Sequence, residues 1–107
     1  MHLNEHERAL TDYNRALELI PDLGEALVNR GIATWHRGGD MGAALSDISR
    51  GLNLGTTDPA VAYFMRGLVN EELGRVADAY ADYSQAAALM PDWDAPRREL
   101  SRFRVAG

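Results

Sequence analysis

A few groupings in this 107-residue chain have residue types and spacings that chemistry could use. His2-Leu3-Asn4-Glu5-His6 puts two imidazoles four apart on a helix face, with a Glu beside them, as zinc hydrolysis requires. A catalytic zinc needs a third protein ligand, and the only other histidine is His36. The pair is therefore read as two solvated side chains on a first helical turn, and no metal is expected. Asp12, Asp47 and Asp82 recur at a regular interval, which argues for caps, turn contacts or solvated faces rather than one acid–base pair. Glu71-Glu72 is read as a solvated helix end, a groove-facing role being the alternative. No Ser or Thr sits in a Gly-x-Ser-x-Gly setting. Gly31 and Gly38-Gly39 have no Lys near them and no strand before them, so they cannot cradle a phosphate. Neither catalysis nor a cofactor is expected.

What positions these residues is a repeat. Segments 9–19, 44–54 and 79–89 align without gaps at a period of 35 residues. Matched positions read Ala9, Ala44, Ala79; Asp12, Asp47, Asp82; Tyr13, Ile48, Tyr83; Ala16, Gly51, Ala86; and Leu19, Leu54, Leu89. Apolar and small residues recur at three and four, the spacing of a helix. The small residues lie seven apart on one face and let a neighbouring helix come close, while the Tyr or Ile between them fills the gap. A second helix type occurs twice, with Arg30-Gly31 matched to Arg66-Gly67 at an interval of 36. A helix-interior Gly costs about 1 kcal/mol against Ala, so Gly31 and Gly67 are read as positions of close backbone approach.

Stop and start signals divide the chain in the same way. Asp22 and Glu25 have capping-box spacing. Asp58-Pro59 places a capping carboxylate before a first-turn proline. Gly38-Gly39 and Gly74 are C-terminal stops, and Pro21 and Pro91 close two helices. The expectation is an all-α chain of six helices over 5–19, 23–37, 41–54, 59–73, 76–89 and 94–104. Connections this short make consecutive helices antiparallel neighbours. The last helix, with Leu100 and Phe103 on one side and Arg97, Arg98 and Arg102 mostly on the other, reads as a polar-faced cap.

The pattern Ala-x-x-Asp-Tyr-x-x-Ala-x-x-Leu-x-Pro, which runs from Ala9 to Pro21 and again from Ala79 to Pro91, resembles the second helix of a tetratricopeptide repeat (TPR). Leu27 and Gly31, like Tyr63 and Gly67, resemble its first helix, where a large apolar residue stands four before a small one. The resemblance covers about residues 5–92. Two departures stand out: the period exceeds the family's by one or two residues, and the Pro expected near Thr56 is missing. The resemblance implies a right-handed superhelical stack of antiparallel helix hairpins, a TPR-like α-solenoid forming a single domain over 1–107. It would comprise a half repeat (1–21, second helix only), two repeats (22–57 and 58–92) and a capping helix (93–107). On that reading the chain starts mid-repeat and is a fragment of a longer array.

The family's function is protein binding, with first helices lining a concave groove. Carried over, the groove residues are Val28, Asn29, Ile32, Trp35 and His36, then Val61, Phe64, Met65 and Leu68. Leu27, Gly31, Tyr63 and Gly67 would pack between helices. The alternative is that some of the groove set belongs to the core, one residue of helix rotation away. A strip containing Trp35, Phe64 and Met65 would suit a protein partner offering an apolar or amphipathic segment. Some family members hold acidic chaperone tails with a clamp of Lys, Asn and Arg. Asn29 stands at one of its positions, but Val61 and Met65 occupy the Lys and Arg positions of the following helix. The rival reading is structural: Ala9, Leu10, Tyr13 and Leu17 would form an uncovered face on helix 5–19, through which the chain forms a homodimer.

Charge and composition narrow the classes further. The formal net charge is −5, which repels phosphate backbones and leaves RNA binding by a pentatricopeptide-like repeat as a remote alternative. Hydrophobic residues make up 46% of the chain and charged residues 25%, the mix of a folded domain rather than a disordered one. No apolar run is long enough to insert into a membrane. With no Cys and no secretion-like leader, a cytoplasmic location is expected.

Overall fold

The computed structural model describes residues 5–103, apart from the side chain of His6. The chain divides between Thr57 and Asp58 into two compact units. In the first, α1 (Glu5–Leu19), α2 (Gly24–His36) and α3 (Met41–Leu54) follow one another; the second holds α4 (Pro59–Glu72), α5 (Val76–Leu89) and α6 (Asp94–Ser101). Within the first unit α2 packs against both α1 and α3, and within the second α5 packs against both α4 and α6. The observed α6 is shorter than expected, because Arg102 and Phe103 donate to Glu99 and Leu100 in tighter turns.

The helices end where the glycines lie. Gly38 and Gly74 have φ of 77° and 79°, the left-handed stop that a side chain disfavours. After α2, Gly39 N–H reaches Thr34 O at 2.9 Å, and after α4, Arg75 N–H reaches Asn70 O at 2.8 Å. The starts depart from expectation. α2 begins after Leu23, and Asp22 makes no capping bond. Asp58 does stand at the start of α4 but gives no side-chain cap, leaving Pro59 as the start signal. Glu25, expected to complete a capping box, instead accepts from Thr57 N–H (3.2 Å) and Oγ1 (2.6 Å). These bonds hold its carboxyl below the usual carboxylate range. Asp40 is the carboxylate that does cap, accepting from Gly42 and Ala43 N–H at the start of α3.

The two hairpins, α2–α3 and α4–α5, are built on close approach. A Cβ on Gly31 would lie 2.7 Å from both Ala44 O and Ile48 Cγ1, and one on Gly67 would lie 2.6 Å from Tyr83 Cε1. A Cβ on Gly51 would lie 2.5 Å from Val28 Cγ2. Beneath each glycine the small-large-small face of the partner helix is fully closed: Ala44 and Ile48 in α3, and Ala79, Tyr83 and Ala86 in α5, are all 0% exposed. Burying a side chain the size of Ile48 or Tyr83 contributes on the order of 2–3 kcal/mol. The matched column Leu19, Leu54, Leu89 is exposed in all three helices; it sits at the last residue of each.

Gly31→Ala gains about 1 kcal/mol of helix propensity but must push aside the α3 backbone. The expected outcome is a net loss of about 1–2 kcal/mol in urea unfolding, since overpacking of this kind costs about 1–3 kcal/mol; unchanged or increased stability would contradict the close-approach account.

Candidate functional site

The carboxylate column has a structural use that its regularity alone did not reveal. Asp47 takes a two-pronged bond from Arg30, with Nε to Oδ2 at 2.7 Å and Nη2 to Oδ1 at 2.9 Å. Asp82 takes the same fork from Arg66, at 3.0 and 2.7 Å, and a third bond from Asn70 Nδ2 at 2.9 Å. These aspartates are ion-paired across the hairpins, and the expectation of caps, turn contacts or solvated faces is corrected for both. Fixed planar forks of this kind are the strong, geometrically selective charge pairs. Each holds its Arg pKa above the ordinary value, chiefly through the carboxylate bond. Arg30 also donates to Asn14 Oδ1 of α1 at 3.1 Å.

Glu71 is likewise no idle helix end. It accepts from Tyr83 Oη at 2.7 Å and from Arg102 Nη1 and Nη2 at 2.9 and 2.8 Å. Arg102 also pairs with Glu99. The Arg102 and Tyr83 bonds hold the Glu71 carboxyl below its usual range, while burial and the Glu71 bond push the Tyr83 phenol up. This network ties α4, α5 and the end of α6 together. Phe103 adds ring contacts to Tyr80 and Tyr83, with centroids 5.6 and 5.9 Å apart.

The sequence-derived groove set divides in two. Val28 is 4% exposed, against Gly51 of α3, and its counterpart Phe64 stacks on Tyr83 at 5.6 Å and Trp93 at 4.9 Å. Val28 belongs to hairpin packing and not to a groove, a correction that follows from helix rotation: positions 24, 28 and 31 lie on the side of α2 that faces α3; Phe64 makes its ring contacts while staying half-buried. Asn29, Ile32, Trp35, Val61, Met65 and Leu68 are half-buried, and His36 is exposed with its ring 4.8 Å from that of Trp35. At about 100° per residue, Glu25, Asn29, Ile32 and His36 occupy the sector of α2 left over by α1 and α3. The matching sector of α4 carries Val61, Met65, Leu68 and Glu72. One strip is mostly polar and the other mostly apolar.

The expected self-association face is also divided. Leu17 is not uncovered: it is 8% exposed and packs with Ala26 and Leu27 of α2, with Tyr13 and Ala16 leaning on the same cluster. Ala9, Leu10 and Tyr13 are half-buried. An open cleft of about 590 Å³ lies between α1 and the α2–α3 hairpin, with Leu10, Asn14, Arg30, Thr34, Arg37 and Ser46 among its lining. It went unread in the sequence because it joins three helices through polar residues without periodic signal.

The His-x-x-Glu-His grouping lies outside the described residues in its His2 and in the side chain of His6. Among the described residues no cluster of acidic or histidine side chains could hold a metal ion, and no helix is long and apolar enough to cross a membrane.

Paired helices with glycine-mediated contacts, repeated along one chain, define a helical-hairpin repeat protein. Residues 60–93, which take in nearly all of α4 and all of α5, match the family model of the tetratricopeptide repeat. Among solved structures, the first TPR of Spaghetti (RPAP3) bound to the HSP90 peptide SRMEEVD is similar, with a TM-score of 0.82 and 22% identity over 92% of this chain and 76% of that one. No curated protein matches. The fold is an all-α, TPR-like solenoid, and residues 60–93 carry the tetratricopeptide-repeat match.

Two outcomes follow from the carboxylates. Within one repeat column, Asp82→Ala should cost about 2–4 kcal/mol, because it strands a half-buried guanidinium and a buried amide. Asp12→Ala, at an exposed position, should stay within about 0.5 kcal/mol; equal losses in urea titrations would refute the clasp. Because Glu71 titrates lower in the folded state, its stabilising effect is full above the unfolded carboxylate pKa. It is lost as pH falls through the folded value. The stability gap between wild type and Glu71→Gln should therefore narrow from pH 7 to pH 3, as thermal melts would show.

Proposed function

We propose that this chain is a non-catalytic protein-interaction module and that the apolar strip of α4 is its contact surface. The observation that carries this is the spacing of Val61, Met65 and Leu68, at i, i+4 and i+7 on a half-buried sector of α4 away from its bonds to α5. A half-covered apolar face of this kind is what a partner's apolar side chains would complete. Met65 adds an adaptable side chain able to fit more than one partner shape. Support in kind comes from the TPR neighbour whose structure holds a bound peptide.

The occupant that fits this strip is an amphipathic or apolar segment, not an acidic tail. An acidic peptide needs cations, and Val61 and Met65 supply none. On α2, half-buried Trp35 and Ile32 add apolar surface beside a mostly polar strip. A cytoplasmic location and a scaffolding role accord with this reading.

The test compares partner recovery by quantitative pull-down with wild type and with Met65→Glu, Leu68→Glu and Trp35→Ala. Partners held by the strip should be depleted at least about tenfold by the Glu variants, as for loss of a contact worth about 1.4 kcal/mol or more. Equal recovery would count against the strip. Calorimetry with the peptide SRMEEVD should show no saturable binding; tight binding would reverse the choice of occupant.

A further inference from the structure

A second surface, on another helix and independent of the α4 strip, is defined by comparing α1 with α5. The two are identical at the four positions that make the α4–α5 hairpin: Ala9, Asp12, Tyr13 and Ala16 correspond to Ala79, Asp82, Tyr83 and Ala86. In α5 all four are buried. α4 covers them, with Gly67 against the Tyr83 ring, Arg66 and Asn70 on Asp82, and Glu71 accepting from Tyr83 Oη. In α1 the same residues are half-buried or, for Asp12, exposed. Among the described residues neither Asp12 nor the Tyr13 hydroxyl has a hydrogen-bond or ion-pair partner. α1 meets α2 through Leu17, with Tyr13 and Ala16 leaning on the edge of that contact, while Ala9 and Asp12 take no part in it.

From this identity we infer that α1 is a docking site for one helix of another protein, with an Arg followed directly by a small residue, an Asn four after the Arg and an acidic residue five after it. The Arg would fork onto Asp12, the small residue would let the helix backbone close on the Tyr13 ring, and the acidic residue would accept from Tyr13 Oη. Charge complementarity selects this partner over a plain apolar helix, because covering Asp12 without a cation would bury an unpaired carboxylate. A second copy of this chain is a poorer occupant. The one place in its sequence with that full combination, Arg66-Gly67 with Asn70 and Glu71, already holds Asp82 and has its glycine closed by Tyr83.

The chain's own α4 is a ready probe of that chemistry. A fluorescent peptide of residues 58–73, end-capped and stapled across the side away from Arg66 to hold it helical, is titrated against the intact protein. Wild type should bind it, and Asp12→Arg should weaken binding by about tenfold or more, the loss expected for a charged two-pronged bond. A peptide with Arg66→Asp should fail on wild type and recover on Asp12→Arg. That rescue places the peptide on α1, since exchange with the resident α4 on α5 would not respond to Asp12. Because Asp12 is exposed, the variant keeps its fold, checked by an unchanged melt. Absence of binding by the stapled peptide, or binding indifferent to Asp12→Arg, would overturn the inference. So would sedimentation showing a dimer of the chain alone that Asp12→Arg dissolves, because the occupant would then be a second copy.

Discussion

The hairpins depend on one constraint: two helix backbones must come close enough that no Cβ fits between them. Gly31 and Gly67 meet it from one side, and the small residues Ala44, Gly51, Ala79 and Ala86 meet it from the other. The gain is dense van der Waals contact around a single large side chain, Ile48 or Tyr83. The weakness is that a small-residue face is nearly featureless, so a helix sliding one turn along it would lose little packing. The Arg30–Asp47 and Arg66–Asp82 forks remove that freedom. A planar guanidinium matched to a carboxylate has one good geometry, so the polar pair sets the register that the apolar contact leaves loose.

The end of the second unit is arranged by similar means. α6 is only eight residues long, too short to hold its place by helix propensity. It is fixed by buried Pro96, by Trp93 against Phe64, and by the Arg102–Glu71–Tyr83 network just past its end. Glu71 thereby serves two elements at once, orienting the Tyr83 hydroxyl inside the hairpin and receiving Arg102 from outside it. Buried polar chains of this kind are stable only when every member is satisfied, and among the described residues no buried side-chain polar atom lacks a partner.

Helix number, type and most boundaries were legible because they rest on signals that repeat: the 35-residue period, the small-residue faces and the glycine stops. Less legible was anything decided by a few tens of degrees of helix rotation or by a bond between distant positions. Val28 read as a groove residue because an apolar residue beside the interhelix face looks the same in sequence as one within it. The capping-box spacing of Asp22 and Glu25 was a local pattern overridden by a contact with Thr57, thirty-odd positions away. A signal for the clasp was present, since Arg30 and Arg66 recur alongside the aspartates. Matching periodic charges of opposite sign on the two helix types would have paired them.

The division of labour among helix faces explains why a sector of α2 and of α4 is left outside the hairpins. α2 spends one sector on α3 and a second on α1, and α4 spends one on α5; the hairpin sectors are committed to Gly, Ala and Arg–Asp geometry that tolerates little change. What is left on α2 and α4 is a narrow sector whose residues bear none of that load, so its character can differ between repeats without cost to the fold. It does differ: Glu25, Asn29 and His36 on α2 answer to Val61, Met65 and Glu72 on α4. Packing sectors therefore look alike from repeat to repeat, while the remaining sector is free to diverge, which is where the proposed contact strip lies.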